Sequence, residues 1–289
     1  MSDPLKQTWL ITGASSGLGK SLALEALAKG HAVLGTTREV QSAQQTFPEF
    51  EQNGGTWIAL DPGSIDAYDQ AVQISENYEI DVVVNNAGYA FIGGVEDTSE
   101  DEVRAQMEVN FYGPLRIIRA LLPRIRAKRS GSIVLMSSGA GFIARPARGT
   151  YSASKFAIEA IHESLSHEVE TFGIRVLIVE PGAFRTPFSS RIITPAQHQG
   201  NGGFSQGYQG TAVEQMVRGM SNSTEFMNLV KGDPRKAARA ILTAVEGGHE
   251  YLRLPLGADC VMALENKIGS LQRDLDLTRE MASSTSVED

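Results

Sequence analysis

Cysteine is almost absent from this 289-residue chain, Cys260 being the only one. An intramolecular disulfide is therefore excluded, as is a zinc site built on several cysteines, and the usage fits a reducing compartment. Long apolar runs are missing too, and the N-terminus "MSDPLKQTWLITG" lacks the charged-then-apolar layout of a secretory signal. Basic charge is in deficit, with 26 Lys and Arg against 34 Asp and Glu and a net charge of −8. That balance argues against a general nucleic-acid surface, which needs clustered cations. The one basic run, "RIRAKR" (124–129), reads as a helix C-terminus, where cations suit the dipole. The histidines, His31, His162, His167, His198 and His249, form no ligand spacing; His162 and His167, five apart, diverge around a helix. The expectation is a cytoplasmic protein with no metal, no membrane and no nucleic-acid partner.

What the chain does have is a series of short apolar runs at residues 8–12, 31–37, 56–60, 81–86, 132–138 and 175–181. They are rich in β-branched residues and do not alternate with polar ones, as in strands buried on both faces. Helical patterns lie between them, several with caps: Ser99 and Glu102 have capping-box spacing, and Asp233 before Pro234 fits N-cap and N1. Alternation of strand and helix predicts an α/β fold, a doubly wound, Rossmann-like parallel sheet with helices on both faces. No linker interrupts it, so residues 1–289 are read as a single domain.

Two regions break the rhythm. From Pro187 to Gly210 glycine is frequent and periodicity weak, which marks a substrate loop of about 187–232. The tail, about 257–282, places Leu264, Ile268, Leu271 and Leu275 on one helical stripe. At under three heptads it is too short for a coiled coil, and packing on the parent domain is the favoured reading.

The first apolar run leads directly into "TGASSGLGK", with Thr12, Gly13, Gly17 and Gly19, and then into a helical segment. Glycine there permits positive φ and close approach of a pyrophosphate, while the helix N-terminus offers free N–H groups and positive dipole. Followed by "NNAG" (85–88), "SS" (137–138), "YSASK" (151–155) and "PGAFRT" (181–186), this turn resembles that of the short-chain dehydrogenases/reductases. The resemblance spans about residues 7–190, and its glycine spacing is that of the simpler oxidoreductase branch. It implies a nicotinamide cofactor held by Ser15, Ser16, Leu18 and the glycines of the turn, with Asp61 at the adenine. Pro62 and Gly63 after Asp61 are a less usual continuation. Asn86, Ala87 and Gly88 would line the adenosine side, and in the stretch containing Pro181 and Gly182, Thr186 would hold the carboxamide.

An acid closing the second strand would bind a ribose 2′-hydroxyl and repel a 2′-phosphate. Thr37 stands there instead, followed by Arg38, whose guanidinium suits a phosphate. NADP(H) is therefore expected in preference to NAD(H).

Reducing a carbonyl also needs a proton for its oxygen. Tyr151 and Lys155, four apart on a helix, share a face. Lowering a tyrosine from pKa 10 by roughly three units takes about 4 kcal/mol, which a nearby cation in a partly desolvated site can supply. The resemblance makes Tyr151 the acid/base and gives Lys155 both that task and the cofactor's ribose. It places Ser138 on the substrate oxygen and Asn110 on a relay water. The reaction expected is interconversion of a small-molecule carbonyl and alcohol. Phe91, Phe142, Phe184 and Phe188 suggest an apolar pocket, with walls near 90–94, 139–145, 182–184 and 187–232. Family members often pair through two long helices, here about 99–126 and 150–172, which implies a homodimer or homotetramer. The alternative is a cofactor-binding regulator or scaffold without turnover, although such a protein would more naturally lose part of the tetrad.

Overall fold

Trp9, Leu10 and Ile11 lead off a sheet whose strands are covered on both faces. The computed structural model describes residues 6–221 and 228–287. Its strands are β1 (Thr8–Ile11), β2 (Ala32–Thr37), β3 (Thr56–Ala59), β4 (Val82–Asn85), β5 (Gly131–Met136), β6 (Ile174–Pro181) and β7 (Arg253–Leu256). They pair in the order β3-β2-β1-β4-β5-β6-β7, every neighbour parallel. Successive strand residues point to opposite faces. Trp9, Ile11, Val84 and Val134 therefore join one core, against α1 (Gly17–Ala28) and α9 (Pro234–Gly247). Leu10, Val83 and Ile133 join another, against α4 (Ala67–Asn77), α6 (Gly113–Lys128) and α7 (Gly149–Val169). The expected doubly wound α/β fold is what forms.

Chain direction across the sheet reverses between β1 and β4, the switch point at which such sheets open a crevice. At the sheet's outer end α2 (Val40–Thr46) and α3 (Glu49–Gln52) pack Phe47 and Phe50 on Trp57. The capping box forms at α5 (Glu100–Met107): the Glu102 backbone N–H donates to Ser99 Oγ at 3.4 Å, and the Ser99 N–H donates to Glu102 Oε2 at 2.8 Å. Asp233 caps α9 with Pro234 at its first position, and the "RIRAKR" run does close a helix, α6, at Lys128.

Three features depart from the sequence reading. The first long helix is divided by a π-helical turn, Glu108–Tyr112, between α5 and α6. A seventh strand, β7, appears at the sheet edge; it is short and contains Pro255, which an edge tolerates. The tail does form a helix, α10 (Ala258–Ser283), but Cys260 is its one buried residue, and Ile268, Leu271 and Leu275 are exposed. Beyond the half-buried Leu264, its apolar stripe does not pack on the parent domain.

The 187–221 segment is built of three 3-10 turns and α8 (Ala212–Ser221). Residues 222–227 of the expected 187–232 loop lie outside the described residues. The segment is tied down: Ile92 N–H donates to Ile193 O at 2.8 Å and Ile193 N–H to Ala90 O at 3.0 Å. Asp97, buried, accepts from the Ser205 N–H at 2.9 Å.

Candidate active site

The glycine turn links β1 to α1 at the switch point. Gly13 (φ +64°) and Gly17 (φ +60°) occupy left-handed conformations that side chains resist. A Cβ on Gly13 would stand 3.0 Å from Ala87 Cα, and one on Gly19 2.7 Å from Gly13 O. The turn is thus packed directly on the end of β4. Thr12 Oγ1 accepts from the Asn86 and Ala87 N–H groups at 2.9 and 3.0 Å, while Asn86 Nδ2 donates to Thr12 O at 2.7 Å. Ser16, the N-cap of α1, makes no side-chain cap bond; its Oγ accepts from Arg191 at 3.0 Å. The first N–H groups of α1 have no partner within the helix.

A cleft of about 1230 Å³ opens over this turn. Gly13, Ser15, Ser16, Gly17 and Leu18 line it, with Thr37, Arg38 and Asp61 in the same wall. Asn86, Ala87, Gly88, Ser138, Tyr151, Lys155, Pro181, Gly182 and Thr186 continue it. Thr12, Gly19 and Asn110 stand behind the wall rather than in it. Asp61 Oδ1 accepts from the Gly63 N–H at 3.0 Å, so the unusual Pro62-Gly63 continuation forms a turn closed on that carboxylate.

Ser138, two residues beyond β5, caps a 3-10 turn, its Oγ accepting from the Ala140 N–H at 3.2 Å. Tyr151 and Lys155 lie in the first two turns of α7, both buried. Asn110, in the π turn, donates to Tyr89 O (3.0 Å) and Ser154 Oγ (3.1 Å) and accepts from the Tyr89 N–H (3.2 Å). Gly88 separates it from Lys155: a Cβ there would stand 3.1 Å from Asn110 Oδ1 and 3.7 Å from Lys155 Nζ.

The electrostatics differ from the spacing expectation in one respect. Burial pushes the Tyr151 phenol above its ordinary value, opposed by the Arg148 guanidinium and then by the Ser138 hydroxyl. The cation over the ring is Arg148, its Cζ 5.4 Å from the centroid. Lys155 Nζ instead donates to Met136 O at 2.9 Å. Burial pulls this lysine down to about 8, opposed by the Glu159 charge.

Beneath the cleft lies an acid pair that sequence reasoning missed. Ser137 Oγ donates to Glu159, whose other oxygen accepts from Arg253 at 2.5 Å. Arg253 also donates to Glu180 at 3.0 Å and to Glu163 at 2.8 Å. Burial raises Glu180 to about 7, and the like charge of Glu159 adds to it. Cys260 Sγ donates to Glu180 O at 3.1 Å, and burial pushes this thiol up to about 11, which leaves it protonated and inert at neutral pH.

The apolar wall is also revised. Phe184 and Phe188 line the cleft as expected; Phe91 is buried elsewhere and Phe142 lies off the lining. Ile143, Ile193, Met216 and Met220 take their place. Glu159 had a readable signal, standing four residues beyond Lys155 on one helical face. Arg253, Arg191 and α8 had none, because chain topology alone brings them here.

A parallel, doubly wound sheet with a glycine turn at its switch point, and a cleft large enough for a dinucleotide and a second molecule, defines a Rossmann-type α/β protein. The family model for short chain dehydrogenases matches residues 7–196, and the chain belongs to that family of oxidoreductases. Oxidoreductase claN of Passalora fulva is 41% identical over 215 residues, covering 74% of this chain and 95% of its own. Oxidoreductase BOA17 of Botryotinia fuckeliana is 33% identical over 262 residues, covering 89% and 91%. The crystal structure of a short-chain dehydrogenase from Streptomyces avermitilis matches with a TM-score of 0.86 at 34% identity, over 99% of this chain and 100% of that one. Among the described residues no helix is long and apolar enough to cross a membrane.

Proposed function

We propose that the protein interconverts a carbonyl and an alcohol with NADP(H), using Tyr151 as acid/base. The observation that carries this reading is one cleft containing both the glycine turn after β1 and the Ser138, Tyr151 and Lys155 side chains from the turn after β5 and from α7. The residues fit a nicotinamide dinucleotide: Gly13 and Gly17 both hold positive φ, a Cβ at Gly13 would press on Ala87, and the N-terminus of α1 offers unpaired N–H groups beside them. Arg38, lining the cleft where Thr37 replaces an acid, favours the 2′-phosphate.

When bound, the cofactor supplies or accepts a hydride at the carbonyl carbon. Ser138 Oγ holds the substrate oxygen, and Tyr151 delivers its proton there. A phenol raised by burial is protonated at neutral pH, which suits the reducing direction. Lys155 would hold the nicotinamide ribose, and Asn110, with Gly88 between it and Lys155, would order the relay water.

The test is NADPH oxidation against a panel of ketones, aldehydes and quinones. Turnover is expected, and Tyr151→Phe should lower kcat by roughly 10²–10⁴-fold, the usual worth of a general acid. A Tyr151→Phe protein with wild-type kcat would refute the assignment. A higher kcat/KM with NADH than with NADPH would refute the cofactor preference.

A further inference from the structure

The cleft carries positive charge that the protein does not neutralise. The chain is acidic as a whole, at −8, yet five cationic side chains line this cleft against three carboxylates. Arg38 and Arg191 serve its glycine-turn end, and Lys155 is bonded to Met136 O. Arg145 and Arg148 are left, both in the link between β5 and α7.

Neither guanidinium forms an ion pair or a side-chain hydrogen bond with any described residue, and Arg148 Nε is sealed from solvent without an acceptor. Arg148 is held over the Tyr151 ring, its Cζ 5.4 Å from the centroid. Burial, and after it the like charge of Arg145, depresses the Arg148 guanidinium, with only Tyr151 opposing. Half-burying an unpaired cation next to a second one is unfavourable unless something anionic completes the site. The cofactor's phosphates belong at the glycine turn after β1. Arg145 and Arg148 follow β5, two strand spacings across the sheet, or roughly 10 Å.

We infer that Arg145 and Arg148 bind an oxyanion carried by the substrate, a carboxylate or phosphate within a few bonds of the reacting carbonyl. The inference rests on the reductase reading and narrows it. Guanidinium groups pair with such oxyanions through parallel N–H donors. The facing wall is apolar: Met216 and Met220 of α8 pack with Ala147 and Tyr151, and Ile143 and Phe188 line the same space. The substrate class is therefore an amphipathic oxo acid, with its charged end on the arginines and its apolar chain under α8.

The test compares 4-oxononanoate with its methyl ester as NADPH-dependent substrates. Wild type should show a kcat/KM at least 10-fold higher for the acid, the effect of one charge-assisted hydrogen bond. Arg148→Gln and, on the exposed link, Arg145→Gln should each shrink that ratio toward one, mainly through the KM of the acid, while Arg148→Lys retains part of it. Equal kcat/KM values in wild type, or a preference for the ester, overturn the inference. Calorimetry on the NADP⁺-saturated wild-type protein supplies a readout without turnover. Octanoate or octyl phosphate should bind at least 10-fold more tightly than octanamide, the tighter of the two identifying the oxyanion, and Arg148→Gln should remove the difference. Equal binding of all three overturns the inference. Failure to reduce either ketone, with the anions still bound through Arg148, would remove the reductase reading and leave the anion site standing.

Discussion

Lys155 occupies a position that opposes its own charge. It is buried, and its pKa falls from 10.5 to about 8, chiefly through loss of hydration. Below pH 8 the lysine is charged in the folded and unfolded states alike, so the full desolvation cost falls on the fold. Between pH 8 and 10.5 the unfolded chain binds more protons, and this residue's contribution makes stability climb with pH. A shift from 10.5 to about 8 corresponds to about 3 kcal/mol at 1.36 kcal/mol per unit. Lys155→Met keeps the volume and removes the charge. It should abolish turnover yet raise the unfolding free energy at pH 7, and it should flatten the rise in stability between pH 8 and 10.5. Urea denaturation at pH 7 and pH 9.5 checks both; a variant less stable than wild type at pH 7 contradicts the account. Tyr151 and Lys155 were legible in the sequence because their relation is local, four residues on one helix. The cation over the phenol was not, since Arg148 reaches the ring through a loop path and a rotamer that spacing does not encode.

Among the elements, β7 is tied to both α7 and β6 through one side chain. Arg253 bridges Glu159 and Glu163 of α7 to Glu180 of β6, and both Glu159 and Glu180 are buried. Arg253→Met leaves those two carboxylates facing each other without their guanidinium, the charge of Lys155 still acting on Glu159. The expected loss is about 3–5 kcal/mol, the usual cost of orphaning one side of a buried ionic cluster. Its pH dependence has a definite sign. Burial and mutual repulsion already raise Glu180, and removing the opposing guanidinium raises both acids further. The folded state then holds more protons than the unfolded one above pH 4.5, so stability falls as pH rises. The deficit of the variant, measured by chemical denaturation, should be larger at pH 8 than at pH 5; a deficit independent of pH would show that the acids are not its source. The sequence announced six of the seven strands and two of the caps, because buried parallel strands and capping residues carry their signals in a few adjacent letters. It did not announce β7, which has four residues and a proline, nor the π turn that sets Asn110 behind the wall. The stripe of α10 shows the same limit: Leu264, Ile268, Leu271 and Leu275 mark a helical face, but only the fold decides that the last three stay exposed.

For the whole molecule, cofactor choice and stability are two views of one equilibrium. A ligand that binds only the folded chain stabilises it by RT ln(1 + [L]/Kd), about 2.7 kcal/mol at 100 times Kd. The cleft lies along the carboxyl ends of β2, β1, β4, β5 and β6, so its occupant bridges the segments that follow them and should raise the unfolding temperature of the domain as a unit. Arg38, just beyond β2, and Glu39 both line the cleft; under the proposed reading the arginine would meet a 2′-phosphate and the glutamate would oppose it. The proposed preference makes the arginine the stronger influence. At equal concentrations NADP⁺ should therefore raise Tm by several degrees more than NAD⁺. Arg38→Ala should erase the difference by lowering the NADP⁺ shift and leaving the NAD⁺ shift where it was. Thermal unfolding of the two proteins with each nucleotide decides the matter: equal shifts in wild type, or a larger one with NAD⁺, would overturn the preference.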